Sequence, residues 1–68
     1  MHIKFTDHAK WRIDERGVSM IHLEKTLKNP DTTKHSFDGA SVARKAFAGK
    51  ILEVVYIKGK KDVVVITA

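Results

Sequence analysis

The stretch Ile51-Leu52-Glu53-Val54-Val55-Tyr56-Ile57-Lys58-Gly59-Lys60-Lys61-Asp62-Val63-Val64-Val65-Ile66-Thr67 sets the fold class of this chain. It contains two runs, 51–57 and 63–67, that are rich in β-branched residues, and such runs are typical of β strands. The basic segment 58–61 contains a glycine and predicts a turn between them. The run 63–67 is long enough to be a buried central strand.

Two further strands are predicted upstream of this pair. Asp38-Gly39 is a strong hairpin signal, and it separates a weak strand at 32–37 from a strand at 40–47. Ala48-Gly49 then turns the chain into the strand at 51–57. These segments predict an antiparallel meander of up to four strands.

The first part of the chain has the helical period of apolar residues. Helix one is predicted to run from a cap at Thr6 or Asp7 to about Arg16. Helix two is predicted over 20–28, where Asn29-Pro30 ends it because the residue before a proline avoids the helical conformation. Met20, Leu23 and Leu27 fall on one side of it, with Ile21 at the margin, and predict a core-facing side.

Residues 3–5 alternate between apolar and polar and predict an extra short N-terminal strand. Each helix has one apolar side to bury, so both must cover the same face of the sheet. The predicted fold is therefore α+β, with two N-terminal helices packed on a three- to four-stranded antiparallel sheet. The whole chain, residues 1–68, forms one domain.

Composition points to a basic, folded chain. Its 68 residues carry a net charge of +5, a balance typical of proteins that bind polyanions, although solubility alone is the alternative. The longest apolar run, 63–66, is too short for a membrane span, and the N-terminus has no signal-peptide pattern. Cysteine is absent. We therefore expect a cytoplasmic protein that binds a polyanion such as nucleic acid.

The most specific functional feature lies on helix one. His8, Arg12 and Arg16 are spaced four residues apart and so share one side of the helix. Arginine holds phosphate oxygens with its planar fork, and histidine exchanges a proton near neutral pH. The three together predict a phosphate-binding site with a titratable group. The alternative is that all three are solvated surface residues.

The remaining candidates lie in the sheet. Arg44 and Lys45 are neighbours in a strand and point to opposite faces, and the sequence leaves open which one faces the helices. Tyr56 is a candidate for stacking on a base, with core packing as its alternative. The basic turn of Lys58, Lys60 and Lys61 is a solvated turn or a contact for nucleic acid.

Signals for cofactors and metals are missing from the sequence. The four histidines have no metal-ligand spacing, and the acidic residues are scattered. No nucleotide-binding fingerprint is present. We therefore expect no cofactor and no metal, and any nuclease activity is expected to be metal-independent.

The pattern His8-Ala9-x-x-Arg12-x-x-Glu15-Arg16-Gly17-Val18-Ser19, with Leu27-x-Asn29-Pro30 and the final strand 63–67, resembles the bacterial domain of unknown function 4258 over nearly the whole chain. That family is considered akin to the BrnT and RelE toxins, small ribonucleases of toxin–antitoxin systems. The resemblance implies a RelE-like fold and a toxin-type activity. Its matching polar positions are His8, Arg12 and Arg16, with looser matches by position in the sheet at Arg44, Lys45, Tyr56 and Thr67.

Three functions remain open from the sequence. The first is a metal-independent endoribonuclease, in which His8 transfers the proton and Arg12, Arg16 and Arg44 or Lys45 stabilise the developing charge. The second is a non-catalytic module that binds RNA, DNA or an acidic antitoxin protein. The third is an interaction subunit, in which an uncovered strand pairs with a partner or with a second copy in a homodimer. The expected nucleic-acid contacts are Lys45, Tyr56, Lys58, Lys60, Lys61 and Thr67.

Overall fold

The computed structural model describes residues 2–36 and 38–68. Within these residues the chain forms an α+β domain of two helices and five strands. In chain order they are β1 (His2–Phe5), α1 (Asp7–Arg16), α2 (Met20–Lys28), β2 (Thr32–His35), β3 (Ser41–Phe47), β4 (Lys50–Lys58) and β5 (Asp62–Thr67). The predicted weak strand at 32–37 matches β2, except that its last residue, Phe37, lies outside the described residues.

All five strands form one sheet in the order β1-β5-β4-β3-β2. The segment from β2 to β5 is the predicted antiparallel meander. β1, however, pairs in parallel with β5, with Ile3 opposite Val63 and Phe5 opposite Val65. The predicted extra N-terminal strand is therefore present as β1, but the sheet is mixed and has five strands, so the prediction of a purely antiparallel sheet of three or four strands is wrong. Local patterns could not reveal this pairing, because it joins segments about sixty residues apart.

Both helices cover the same face of the sheet, as predicted. Ala9 of α1 and Leu23 of α2 are fully buried in one cluster with Val54 and Val65 of the sheet. Ile13, one turn after Ala9 on α1, packs against this cluster too. The opposite face carries no helix, and we call it the uncovered face.

The ends of α1 follow from its sequence. Thr6 caps the N-terminus, because its hydroxyl oxygen accepts the Ala9 backbone N–H at 3.1 Å. The same hydroxyl donates to the Ile66 carbonyl at 3.1 Å, which fastens the start of the helix to β5. Gly17 ends the helix at φ 63°, a left-handed conformation that glycine adopts without steric cost.

The buried side of α2 differs from its predicted apolar side. Leu23 is buried and Leu27 packs against the core as expected. Met20 is largely exposed, while Thr26 is fully buried. The Thr26 hydroxyl donates to the His22 carbonyl at 2.8 Å within the helix, and this hydrogen bond makes its burial tolerable.

A two-residue turn joins β3 to β4. Ala48 and Gly49 have φ values of 50° and 82°, the pattern of a type I′ turn. The turn sets Phe47 opposite Lys50 in the ladder. The predicted turn at Ala48-Gly49 is thus confirmed, and it shapes the cleft described below.

In the portion of the chain that the structure describes, neither helix has the length and apolar character needed to cross a membrane.

Candidate functional site

His8, Arg12 and Arg16, here called the basic row, lie along one side of α1. His8 and Arg16 are exposed, and Arg12 is partly buried. Trp11 stands beside the row with 55% of its surface exposed. Its ring lies 6.0 Å from the His8 ring, and the Arg12 guanidinium carbon lies 6.0 Å from its centroid. An exposed indole flanked by cationic and imidazole groups offers a flat surface for stacking.

The two arginines of the row have different surroundings. Arg16 donates from Nη1 to the backbone carbonyl of Ala68 at 3.3 Å, which holds its side chain near the end of β5. The Nε of Arg12 is buried and has no hydrogen-bond partner among the described residues. A buried donor without a partner is costly. Arg16 is thus held by the backbone at one nitrogen, whereas the buried Nε of Arg12 is not satisfied by any described residue.

A cleft of about 470 Å³ opens at the end of α1, and we call it the hairpin cleft. It lies between the α1–α2 turn, the start of α2 and the β3–β4 hairpin. His22 stacks on Phe47 in its wall, with ring centroids 4.2 Å apart and planes 10° from parallel. The lining residues are Arg16, Gly17, Val18, Ser19, His22, Phe47, Ala48, Lys50, Ile51 and Leu52.

The chemistry of the hairpin cleft is that of an anion site with apolar walls. Arg16 and Lys50 supply positive charge, and His22 supplies an imidazole ring. Phe47 and Leu52 give the cleft an apolar wall. Because Arg16 belongs both to the basic row and to the cleft, the two features form one continuous surface.

Arg44 lies neither in the basic row nor in the hairpin cleft. Ala43 is buried opposite Val54 on the helix-covered face, so Arg44 points to the uncovered face because neighbours in a strand alternate. There its Nε lies 2.7 Å from the Glu53 carboxylate. The predicted catalytic set of His8, Arg12, Arg16 and Arg44 is therefore divided between two faces of the sheet.

The sequence left open whether Arg44 or Lys45 faces the helices. In the structure it is Lys45 that lies on the helix-covered side. It is opposite Leu52 in the ladder, and its ammonium lies 3.3 Å from the Asp31 carboxylate. Thr67 is opposite Val55 and shares the uncovered face. Neither residue lines the hairpin cleft.

The other predicted contacts lie at the far end of the sheet. Tyr56 is half-buried between Ser41 and Val65 in the ladder. Lys58, Lys60 and Lys61 are exposed around the β4–β5 turn. Lys50 begins β4 and Lys58 ends it, so the basic turn and the cleft are about 26 Å apart along the strand.

Three residues of the cleft were not predicted from the sequence to be site residues. His22 was considered only for metal binding, and Phe47 and Lys50 were not considered as site residues. The turn signal at Ala48-Gly49 already indicated that Phe47 and Lys50 face each other. No local signal indicated that α2 would place His22 on Phe47.

Two carboxylates outside the cleft have lowered pKa values. The pKa of Asp31 lies below its ordinary value of 3.8, because its carboxylate accepts the Ala46 backbone N–H and then the Lys45 ammonium. The pKa of Asp38 is lowered by hydrogen bonds from the Ser36 side chain and the Ala40 backbone N–H. Both groups therefore secure loops rather than contribute to the cleft.

Residues 2–36 and 38–68 contain no group of three or more His, Asp or Glu side chains placed to hold a metal ion. That the activity requires neither a metal nor a cofactor stays a prediction.

Comparison with known proteins identifies the family of the chain. No curated protein and no solved structure matches it. Residues 5–68 match a family described as a domain of unknown function, DUF4258. The match covers both helices and all strands except most of β1. This chain therefore belongs to the DUF4258 family.

Proposed function

We propose that this protein binds single-stranded RNA along a surface that runs from Trp11 over the basic row into the hairpin cleft. The observation that supports it is the position of Arg16, which lines the cleft and also belongs to the row. The eight residue steps from His8 to Arg16 span about 12 Å of helix, enough to contact more than one phosphate. A net charge of +5 attracts the RNA to this surface.

Each group on the surface has a separate task in the proposed complex. Arg12 and Arg16 hold phosphate oxygens through paired N–H donors, and Lys50 acts as a point charge within the cleft. Trp11 stacks on an unpaired base. RNA is preferred over DNA on the ground of the resemblance to ribonuclease toxins. A RelE-like arrangement, an acidic antitoxin partner and cytoplasmic location are further predictions of the same proposal.

The test of binding is fluorescence anisotropy of a labelled single-stranded RNA with Arg16→Ala and Lys50→Ala. Each substitution is expected to weaken binding about 10-fold or more, because each removes a charged hydrogen-bond donor. Lys34→Ala is the matched control, since it removes the same charge from the exposed strand β2, where Lys34 lies opposite Val42 on the uncovered face and does not line the cleft. Equal loss of affinity in all three variants would indicate binding by net charge alone and contradict the proposed surface.

The hairpin cleft also favours a second candidate function, metal-independent RNA cleavage. His22 lies in the same cleft as Arg16 and Lys50, and His8 lies on the same helix side as Arg12. In this reaction the 2′-oxygen attacks the adjacent phosphorus and the bond from phosphorus to the 5′-oxygen breaks. One histidine accepts the 2′-hydroxyl proton, and an acid protonates the leaving 5′-oxygen. The cationic side chains stabilise the charge on the phosphoryl oxygens.

The test of cleavage is incubation with labelled RNA in EDTA, beside His8→Ala and His22→Ala. Products with 2′,3′-cyclic phosphate ends are expected, and DNA of the same sequence stays intact because it lacks the 2′-hydroxyl. Loss of cleavage in only one variant identifies which histidine transfers the proton. RNA that is bound but intact would reject catalysis and leave the binding proposal standing.

A further inference from the structure

The uncovered face of the sheet exposes an apolar patch. Five β-branched side chains form its centre, and each is only partly shielded by its neighbours in the sheet. They are Val42 of β3, Val55 and Ile57 of β4, and Val64 and Ile66 of β5. Ile57 is 44% exposed. Exposed patches of this kind on a small domain mark interaction sites.

Two ion pairs stand at opposite corners of this patch. Lys4 of β1 and Asp62 of β5 are joined at 3.2 Å near one end of the strands. Arg44 of β3 and Glu53 of β4 are joined at 2.7 Å toward the other end. The strand pairing locates the point halfway between these two ion pairs. It lies between β5 and β4, close to Val55 and Val64. The apolar centre thus lies between two electrically neutral corners.

We propose that the uncovered face is the dimer interface of the protein, occupied by a second copy of the same chain. The two-fold axis of this dimer lies in the interface, parallel to the sheet, and passes over the apolar centre. Rotation about this axis places the Lys4–Asp62 corner of one copy against the Arg44–Glu53 corner of the other. Lys4 and Asp62 of one copy then meet Glu53 and Arg44 of the other, so that each cluster of four charges is neutral. A surface complementary to itself in this way is what a symmetric dimer requires.

The charge balance favours a second copy over an acidic partner. The chain carries a net charge of +5, yet this face holds three cations against two carboxylates, the third cation being Lys34 of the edge strand β2, opposite Val42. An acidic protein would be attracted to the rest of the molecule more strongly than to this face. Two copies can approach here with less repulsion than their net charge produces elsewhere.

The size of the face is sufficient for a weak dimer. Five strands spaced about 4.8 Å apart and about 20 Å long give on the order of 480 Å² per copy. The pair therefore buries roughly 1,000 Å², at the lower limit for a specific interface. We expect a dissociation constant in the micromolar range. Burial of the patch also supplements the small core of a 68-residue domain.

The test is sedimentation equilibrium of the full chain over a dilution series. The wild-type protein is expected to approach twice its 7.7 kDa mass at high concentration. Ile57→Lys is expected to raise the dissociation constant by about 100-fold or more, because the symmetric interface would bury two lysines. Ile21→Lys is the matched control, since Ile21 is 66% exposed on α2 and not on the sheet.

A wild-type protein that stays monomeric at every concentration overturns the inference. So does a dimer that Ile21→Lys dissociates and Ile57→Lys does not. If Ile57→Lys fails to fold, mixed isotope-labelled and unlabelled wild-type protein provides the second test. Nuclear Overhauser contacts between copies are then expected at the methyl groups of Val55, Ile57 and Val64, and contacts located elsewhere reject this interface. The inference does not depend on RNA binding.

Discussion

Trp11 and Arg16 are side chains of α1 that do not pack in the core. Tryptophan side chains are on average highly buried, yet 55% of the Trp11 surface is exposed. The helix buries Ala9 and Ile13 instead, and Trp11, two positions from each of them, faces the opposite side. The indole is therefore placed for a ligand and contributes little to the stability of the fold.

Trp11 provides a direct measure of RNA contact, because it is the only tryptophan of the chain. Its fluorescence is expected to be quenched on addition of single-stranded RNA as a base stacks on the indole. Trp11→Ala is expected to weaken binding about 10-fold, since stacking on one base contributes roughly 1–3 kcal/mol. Ile21→Ala, which removes another exposed apolar side chain, serves as the control. Unchanged fluorescence at saturating RNA would remove Trp11 from the proposed surface.

Asp31 predicts how stability depends on pH. Hydrogen bonds from the Ala46 N–H and the Lys45 ammonium lower its pKa in the folded chain below 3.8. A lowered folded pKa means that the stabilisation is present above the unfolded pKa and is lost as pH falls through the folded pKa. Urea unfolding between pH 6 and about pH 2 is expected to show a smaller acid-induced loss for Asp31→Asn. An identical loss in both proteins would contradict this role of Asp31.

Among the helices, α1 has the stronger N-terminal cap. Thr6 accepts the Ala9 N–H at 3.1 Å and also donates to the Ile66 carbonyl, so it connects the helix with β5. Ser19 caps α2 through one longer and exposed contact, 3.4 Å from the His22 nitrogen. The two caps are similar in sequence, but their tertiary roles differ.

Substitution of the two caps is expected to separate these roles. Thr6→Ala should lower the free energy of unfolding by about 2 kcal/mol, because it removes a cap and leaves the Ile66 carbonyl without a donor. Ser19→Ala should cost about 0.5–1 kcal/mol. Chemical denaturation of both variants checks the order. Equal losses would mean that the bond between Thr6 and β5 contributes nothing.

The β3–β4 turn offers a stabilising change. Ala48 has φ 50°, which is sterically unfavourable for alanine, whereas Asn-Gly is the preferred pair for a type I′ turn. Ala48→Asn is therefore expected to raise the free energy of unfolding by about 0.5–1 kcal/mol. The opposite change at the next residue, Gly49→Ala, should destabilise by about 1 kcal/mol or more. Thermal unfolding of the two variants should shift in opposite directions, and a shift in the same direction would contradict the turn assignment.

For the molecule as a whole, the proposed RNA-binding surface and the proposed dimer interface lie on different sides of the sheet. The basic row and the hairpin cleft lie with the helices, while the apolar patch and its ion pairs lie on the uncovered face. A dimer formed through the uncovered face would leave both RNA surfaces open and facing away from each other.

The salt dependence of RNA affinity is expected to reflect three phosphate contacts, by Arg12, Arg16 and Lys50. Each contact contributes roughly 0.7 to the slope of log affinity against log salt for a single strand, so the slope should be about −2. Arg16→Ala should reduce its magnitude by about 0.7. A slope that Arg16→Ala leaves unchanged would show that this arginine does not contact phosphate.

Local physics made much of this fold predictable. The bounds of both helices, their caps and the turn at Ala48-Gly49 depend on residues within a few positions of one another, and the structure confirms them. The same holds for the basic row, because helical spacing alone places His8, Arg12 and Arg16 on one side. The resemblance to DUF4258 was recognised largely from residues of α1 and the turn after it, and the family match over residues 5–68 confirms it.

Other features required long-range pairing, which local patterns do not encode. The parallel β1–β5 ladder joins the two ends of the chain, and the assignment of Arg44 and Lys45 to opposite faces depended on the register between β3 and β4. The hairpin cleft exists because α2 stacks His22 on Phe47, residues that are twenty-five positions apart. Such contacts depend on how the helices settle on the sheet as the shared core is buried, so they emerge from the packing of all the elements together.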